Sequence, residues 1–315
     1  MGTQKSSRRT GPETRPGVLE EIIEHARAKG LVAAGRGTPS TQIPGLDEVK
    51  PELFGFTAVL LDGTVVSSGD TKKAFSLQSI TKLFSLAALL RRKHDVWSEI
   101  GWEPTDASFR SLAELEARDG RPRNPFVNAG ALVVTDQLLT LDGDGLQPTL
   151  DLIREQSGNE RISSVTKIAR AEYRNAHLNI AIAHTLAEHG RLANPIPAVL
   201  KAYFRQCAIA ASTEDTARAA LFLADRDRKS PVLSADSRRR VNAVTLTAGM
   251  YSAAGDIAYR VGIPVKSGIG GGIVGVLPGV GTVCVWSPPL DERGNSAGGI
   301  VALEEFSRVA GWSLF

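Results

Sequence analysis

A serine and a lysine three residues apart, Ser79 and Lys82, open an apolar stretch that follows a short extended segment at residues 74–77. This spacing puts the hydroxyl and the amine on the same face of a helix, where they can touch. The free N–H groups and the positive dipole end at a helix start would also stabilise a serine alkoxide. The pair therefore predicts a serine nucleophile activated by a lysine base.

A lysine accepts a proton only when it is neutral, which requires burial or a second cation nearby to lower its pKa. Lys266 is the candidate for that cation and is predicted to be catalytic. It opens the sequence Lys-Ser-Gly at the start of a late predicted strand, where penicillin-recognising serine enzymes carry a Lys-Ser/Thr-Gly motif. The glycines that follow allow close backbone approach, so the N–H groups of Ile269 and Ser79 could form an oxyanion hole.

Each of these motifs also has a structural interpretation. Ser79 could be only a helix cap, and the glycine-rich segment only a flexible turn. Ser164 and Lys167 repeat the same spacing, but they lie in a polar stretch. The segment at residues 294–298 matches a nucleophile elbow, yet no strand pattern precedes it and no histidine follows it, so we interpret it as a turn that caps the last helix.

Strand patterns occur near both ends of the chain, with helical patterns between them. An Asp62-Gly63 turn between two apolar runs predicts a hairpin, and the chain after Pro264 predicts two strands around a Pro-Gly turn, followed by a helix. Between about residues 79 and 260, apolar residues recur every three or four positions. We therefore predict an α+β fold in which both chain ends build one antiparallel sheet and a helical lobe is inserted.

The predicted domain organisation follows from these patterns. Residues 1–16 are polar and rich in Gly, Pro and Arg, which predicts a disordered tail. Residues 17–315 are predicted to form a single catalytic domain, with a first helix ending at Gly30. Its α/β lobe would comprise about 17–80 and 245–315, its helical lobe about 81–244, and catalysis would occur in the cleft between them.

Composition excludes several functional classes. The net charge is only +3 over 315 residues and the basic residues are dispersed, so no nucleic-acid partner is expected. No secretory signal and no membrane-spanning run is visible, which predicts a cytoplasmic protein without a membrane partner. Cys207 and Cys284 lie in apolar segments and are interpreted as core residues. The five histidines form no zinc signature, so no metal is expected.

From about residue 20 to the C-terminus, the chain resembles the bacterial glutaminases, which are serine-dependent enzymes with a β-lactamase-like fold. The resemblance lies in several segments that occur in the family's order. They are FSLQSITKLF, NPFVNAGALVVTD, YFRQCAI and AGMYSAAGDIAYRVGIPVKSGIGGGIVGVLPG, the last followed by WSPPLDERGNS.

The resemblance implies a role for particular residues. Ser79 would be the nucleophile, Lys82 its base, Tyr251 a catalytic or proton-relaying phenol, and Ile269 a backbone oxyanion donor. Further substrate-binding positions are implied for four polar side chains: Asn128, Glu172, Asn179 and Tyr203.

This polar set suits free glutamine. The α-ammonium group needs a carboxylate such as Glu172, and the α-carboxylate needs donors such as Asn128, Asn179 and Tyr203. Glu172 and Asn179 are seven residues apart and would share one face of a continuous helix.

The expected reaction is hydrolysis of L-glutamine to glutamate and ammonia through a seryl ester, without a cofactor. Whether Tyr251 or Lys82 protonates the leaving ammonia stays open. The resemblance also implies a homo-oligomer, either a dimer or a tetramer.

Two positions differ from the family pattern: Gln42 occupies the usual place of a tyrosine, and Leu178 that of an arginine. Two alternatives therefore remain beside a glutaminase. One is a related serine hydrolase acting on another amide or a β-lactam, and the other is a catalytically impaired relative that binds an amino acid.

Overall fold

The computed structural model describes residues 16–92, 95–226 and 230–315. The predicted tail at residues 1–16 lies outside the described residues except for Pro16, which begins the first helix. The strands in the described part are β1 (Gly55–Leu60), β2 (Val65–Gly69), β3 (Phe75–Ser76), β4 (Ser163–Ser164), β5 (Ile209–Ala211), β6 (Val265–Gly268), β7 (Gly272–Leu277) and β8 (Gly281–Trp286).

Most of the chain between the first and last strands is helical. The α-helices of the described residues are α1 (Pro16–Ala34), α2 (Thr81–Leu90), α3 (Leu112–Glu116), α4 (Asn128–Asp142), α5 (Gln147–Ser157), α6 (Thr166–Arg174), α7 (His177–Glu188), α8 (Ile196–Cys207), α9 (Thr213–Ala220), α10 (Ala235–Ala248), α11 (Ala254–Arg260) and α12 (Ala297–Ala310). Short 3-10 turns at Gln78–Ile80, Leu221–Leu223 and Tyr251–Ala253 connect some of them.

The main sheet joins the two ends of the chain. Its strand order is β2-β1-β8-β7-β6, and every neighbouring pair is antiparallel. The predicted hairpin is present: Gly63 has a φ of 94°, and Asp62 Oδ1 accepts a 2.9 Å hydrogen bond from Thr64 N. The late segment forms three strands rather than the predicted two, because a turn closed by a 3.0 Å bond from Gly271 N to Gly268 O separates β6 from β7.

Helices cover both faces of this sheet. On β8, Val283 and Val285 pack in the core that α1 and α12 share, whereas Cys284 belongs to the core of the helical region. Thr282, on the same side as Cys284, donates a 2.7 Å hydrogen bond to Ala217 O in α9. The alternation of strand side chains thus places the sheet between two apolar layers.

The first helix does not end at Gly30 as predicted, but continues to Ala34. Gly30 is needed there for packing, because a Cβ at that position would lie 2.6 Å from the Phe54 ring and 2.7 Å from Gly298 O. In the described part of the chain, no helix combines the length and the apolar character that crossing a bilayer requires.

Candidate active site

Ser79 lies in the middle of the 3-10 turn Gln78–Ile80, between β3 and α2. The turn is sharp because Gln78 adopts a φ of 49°, and Thr81 Oγ1 fastens it with a 2.8 Å hydrogen bond to Gln78 O. Such a left-handed conformation is uncommon for a residue other than glycine and is typical of functional turns. Ser79 is half-buried and lines a cavity of the described residues.

The end of β6 lies directly against this turn. A Cβ on Gly268 would stand 2.4 Å from Leu77 O and 3.3 Å from Ser79 N, so only glycine permits the approach. Ile269, the next residue, lines the same cavity as Ser79. The predicted proximity of the Lys-Ser-Gly strand to Ser79 is therefore present.

Lys82 is held among three oxygen atoms. Its Nζ lies 2.9 Å from Phe126 O, 2.7 Å from Asn128 Oδ1 and 3.3 Å from the Tyr251 hydroxyl. The first two oxygens only accept hydrogen bonds, so they take two N–H groups whatever the protonation state of the amine. The third position faces Tyr251, where a proton can lie on either partner.

Tyr251 connects Ser79 with Lys82. Its hydroxyl lies 3.3 Å from Lys82 Nζ, both Ser79 and Tyr251 line the cavity, and the Ser79 hydroxyl is near enough to contribute to the lowered pKa of Tyr251. Among the described residues, the hydrogen bonds of Lys82 do not include one to Ser79. The direct contact expected from the spacing of three is thus replaced by a relay through the phenol, because the two carbonyl oxygens and Tyr251 already hold the amine.

The conformation of Tyr251 places the phenol between two lysines. The residue begins a 3-10 turn with a φ of 55°, and its ring packs against Phe109 with centroids 4.7 Å apart. On the other side, Lys266 Nζ lies 4.4 Å from the ring centroid and donates a 2.6 Å hydrogen bond to Ser267 O. Lys266 is fully buried, as is nearly all of Lys82.

This arrangement changes the ionisation of both groups. Burial alone would raise the pKa of Tyr251, but the charges of Lys266 and Lys82, with hydrogen bonds from Ser79 and Lys82, lower the pKa to about 8. Burial, together with the charge of Lys82, lowers the pKa of Lys266 to about 8, although Tyr251 opposes that shift. A phenolate at Tyr251 is therefore accessible near neutral pH.

A chain of polar side chains forms one wall of the cavity. Tyr203 donates to Asn128 Oδ1 over 3.4 Å, and Asn128 Nδ2 donates to Asn179 Oδ1 over 2.7 Å. Burial raises the pKa of Tyr203 well above its usual value, so its hydroxyl stays a donor. Asn128 thereby contacts Tyr203 and Asn179 in this wall as well as Lys82.

Glu172 lines the cavity near the same wall. Its Oε2 is inaccessible and has no hydrogen-bond partner among the described residues, and Gln78 lines the same cavity. Burial raises the pKa of Glu172 to about 8, against the opposing charge of Lys82. A buried carboxyl group in this condition favours a cationic ligand.

Glu172 and Asn179 were predicted to share one helix face if a single helix carried both. They lie in two helices instead, Glu172 in α6 and Asn179 in α7. The chain breaks between α6 and α7, yet both side chains line the cavity because the two helices pack beside α8. Leu178 is 36% exposed and does not line the cavity, whereas Gln42 does.

The cavity has a volume of about 770 Å³. It brings together seven of the predicted site residues: Ser79, Asn128, Glu172, Asn179, Tyr203, Tyr251 and Ile269. Lys82 and Lys266 contact the ring or hydroxyl of Tyr251. Residues 38–43 and 290–295 also line the cavity. Within the described residues, no group of three or more His, Cys, Asp or Glu side chains is placed to hold a metal ion.

Comparison with known proteins identifies the family. The family model described as Glutaminase matches residues 37–315. A glutaminase of Streptomyces coelicolor is 46% identical over 308 residues, which cover 96% of this chain and 99% of the relative. The chain belongs to the glutaminase family.

Solved structures of glutaminases agree with this assignment. The probable glutaminase YbaS has a TM-score of 0.89 at 32% identity, covering 96% of this chain and 99% of the other. A covalent complex of the Bacillus subtilis glutaminase YbgJ with 5-oxo-L-norleucine, formed by reaction with 6-diazo-5-oxo-L-norleucine, has a TM-score of 0.82 at 29% identity, covering 96% and 100%. The predicted family, the β-lactamase-like fold class and the enzyme class are confirmed.

In this glutaminase-family chain, several residues at the site were not predicted from the sequence. Gln78 lines the cavity with Glu172, and Phe109 packs on Tyr251. Cys207 is buried as expected but also lines the cavity. For Gln78, its position next to Ser79, the predicted nucleophile, is a sequence signal that could have indicated a place at the site. Phe109 lies in a segment without periodicity and has no such signal.

Proposed function

We propose that this protein hydrolyses the side-chain amide of L-glutamine to glutamate and ammonia through an ester on Ser79. The observation that carries the proposal is the grouping of Ser79, Tyr251 and Lys82 beside the same cavity that the Glu172 carboxyl group lines, with Tyr251 hydrogen-bonded to Lys82. A nucleophile and an ammonium-binding carboxylate in one cavity suit an amino acid that carries an amide.

Glutamine binds through its two charged α-substituents. Its α-ammonium group pairs with Glu172, whose Oε2 has no hydrogen-bond partner among the described residues. Its α-carboxylate accepts hydrogen bonds from the polar wall. Asn179 accepts a hydrogen bond from Asn128 through its Oδ1, which leaves its Nδ2 as the donor for the substrate. The pairing lowers the pKa of Glu172 again, so binding and ionisation of this group are linked.

The proton of Ser79 passes to Tyr251 as the serine oxygen attacks the amide carbon. The new C–O bond converts the carbonyl into a tetrahedral oxyanion, which the N–H groups of Ser79 and Ile269 stabilise. The positive charge of Lys82 stabilises the phenolate before this transfer. The phenolate of Tyr251 thus serves as the base, and Lys82 supports it.

Collapse of the oxyanion breaks the C–N bond, and Tyr251 returns its proton to the leaving nitrogen, which departs as ammonia. Water then attacks the glutamyl ester and gives one proton to Tyr251, which passes it back to the oxygen of Ser79 as glutamate leaves. Each step balances without a cofactor, because the phenol gains and loses one proton in each half-reaction.

The test is ammonia release by purified protein from glutamine, asparagine and, for ring opening, a chromogenic β-lactam. We expect turnover of glutamine and little or none of the other two. Ser79→Ala should abolish hydrolysis while glutamine still binds in calorimetry, whereas Ser98→Ala, at an exposed serine, should leave the rate unchanged. Retained turnover in Ser79→Ala would exclude Ser79 as nucleophile.

A further inference from the structure

A second cavity, of about 570 Å³, lies on the helical lobe beside α5, α6 and α8. We call it the basic groove. Apolar and aromatic side chains form much of its surface: Leu146, Leu150, Ala169, Tyr173, Pro197 and Phe204. Tyr173 remains 37% exposed there, which leaves an aromatic surface open to solvent. A concave site with an apolar surface is the usual form of a small-molecule site.

Four cationic side chains also line the basic groove: Arg154, Arg170, Lys201 and Arg205. None of the described residues lining it is acidic. Arg154 donates to Ile162 O over 2.8 Å, and Arg205 is 3.9 Å from Asp144. Arg170 and Lys201 form no ion pair with any residue that the structure describes. Like charges gathered in a concave site repel one another, and a bound anion would relieve that repulsion.

The groove lies directly behind the glutamine-binding wall. Tyr173 follows Glu172 in α6, and Phe204 follows Tyr203 in α8. The Tyr173 and Phe204 rings meet edge to face with centroids 5.7 Å apart, while Phe204 and Tyr203 are 5.4 Å apart. In each helix, one residue lines the groove and its neighbour lines the reaction cavity.

We propose that the basic groove binds a small organic anion with an apolar body, such as an aryl or short acyl carboxylate, and that its binding alters the affinity for glutamine. The apolar part packs on Tyr173 and Phe204, and the anionic group lies between Arg170 and Lys201. Displacement of either ring moves Glu172 or Tyr203 in the reaction cavity. This coupling rests on the proposed glutaminase function, whereas the binding does not.

Binding is tested by calorimetry at low salt with 3-phenylpropionate. Two probes separate the contributions: 3-phenylpropan-1-ol lacks the charge, and inorganic phosphate lacks the apolar body. We expect each to bind at least about tenfold more weakly than the carboxylate. Equal affinity for the alcohol would overturn the role of charge, and equal affinity for phosphate would overturn the role of the apolar surface.

Paired variants locate the site. Arg170→Gln with Lys201→Gln should weaken binding of 3-phenylpropionate about tenfold or more. Arg161→Gln with Arg174→Gln removes the same charge from exposed positions outside the groove and should leave the affinity unchanged. Equal loss in both pairs would show nonspecific attraction and overturn the proposal. Sedimentation showing that a second copy of the chain covers the groove would also overturn it.

Coupling is measured without turnover in Ser79→Ala, by titrating glutamine in the presence and absence of 3-phenylpropionate. We expect the dissociation constant of glutamine to change at least about threefold, and by linkage glutamine must change the affinity of the anion by the same factor. The change should vanish with Arg170→Gln and Lys201→Gln. An unchanged dissociation constant, with binding to the groove intact, would reject the coupling alone.

Discussion

In the proposed mechanism, proton transfer depends on Tyr251, which lines the cavity with Ser79 and lies beside both lysines. Its φ of 55° and the Phe109 ring fix the phenol between them. A phenol with an ordinary pKa would stay protonated at neutral pH and could not accept a proton from serine. The two buried cations therefore contribute to catalysis by making the phenolate accessible.

The first prediction concerns pH. Since the pKa of Tyr251 is lowered to about 8, the active phenolate increases as the pH rises through that value. We expect kcat/KM to rise up to about pH 8 and to level off above it. Tyr251→Phe should lower kcat by roughly 10²-fold or more.

An ultraviolet titration assigns this ionisation. Tyr251→Phe should remove the phenolate absorbance that develops near pH 8, to which Tyr203 should not contribute because burial raises its pKa well above the usual value. An unchanged absorbance curve in Tyr251→Phe would show that another group controls the pH profile.

Glu172 is expected to strengthen the binding of glutamine and to lower the free energy of unfolding of the protein. Its pKa is about 8 in the folded protein against an ordinary value of 4.5, so the folded state retains a proton that the unfolded state loses. The free energy of unfolding therefore falls as pH rises from about 4.5 to 8. Glu172→Gln should remove that loss, raising Tm by roughly 2 °C or more at pH 8, and should raise KM for glutamine about tenfold or more.

The matched control is Glu160→Gln, at an exposed glutamate in the turn between α5 and β4. It should change neither Tm nor KM. A lower Tm at pH 8 in Glu172→Gln, measured by calorimetry, would contradict the interpretation that this carboxyl group is buried at a cost.

At the scale of elements, the contact between β6 and the turn Gln78–Ile80 would set the geometry of the proposed oxyanion hole. Gly268→Ala would place a methyl group 2.4 Å from Leu77 O and so force the strand and the turn apart. We expect kcat to fall about 10²-fold, since small misplacements of reacting groups carry such losses. Circular dichroism should show that the fold persists.

Gly255→Ala is the control for that substitution. Gly255 lies in α11, and a Cβ there would meet no atom within 4 Å. Activity should be unchanged and stability slightly increased, because alanine favours a helix. Equal activity losses in both variants would show that the contact at Gly268 does not determine the rate.

The sequence predicts those elements that have a local signal. The hairpin at Asp62-Gly63 and the cap formed by Ser296 on α12 follow from turn and capping chemistry, and both are present. The break between α6 and α7 has no glycine or proline to mark it, so a continuous helix could be supposed. The first helix continues past Gly30 because tertiary packing overrides the usual glycine stop.

At the scale of the whole molecule, one apolar core links the sheet to the helical lobe. Val59, Val274 and Trp286 from the sheet share a cluster with the residues of α2, α4 and α8. A buried hydrogen bond of 2.9 Å between the hydroxyls of Thr57 and Thr213 joins the same two regions. We propose that the predicted single catalytic domain, residues 17–315, folds as one unit.

Chemical denaturation tests this proposal. We expect one cooperative transition, with coincident curves for far-ultraviolet circular dichroism, tryptophan fluorescence and loss of glutaminase activity. The reason is that neither lobe can bury its share of the common core alone. A helical intermediate that persists after the sheet has unfolded would indicate two separate folding units.

The predicted architecture follows from the strand patterns at both chain ends, whereas the site depends on packing over long sequence separations. Spacing brings Ser79 and Lys82 close, but only the fold places Tyr251 between them. The loop that carries Phe109 to the Tyr251 ring has no periodic pattern, so its contribution is invisible in the sequence.

Covalent labelling tests the role of Ser79 most directly. The protein is treated with 6-diazo-5-oxo-L-norleucine, the compound that reacts with the Bacillus subtilis glutaminase YbgJ, and the modified peptide is mapped by mass spectrometry. We predict a single adduct on Ser79, protection by glutamine, and no adduct in Ser79→Ala. An adduct on Cys207, Lys82 or another residue, with hydrolysis lost in parallel, would contradict the assignment of Ser79 as nucleophile.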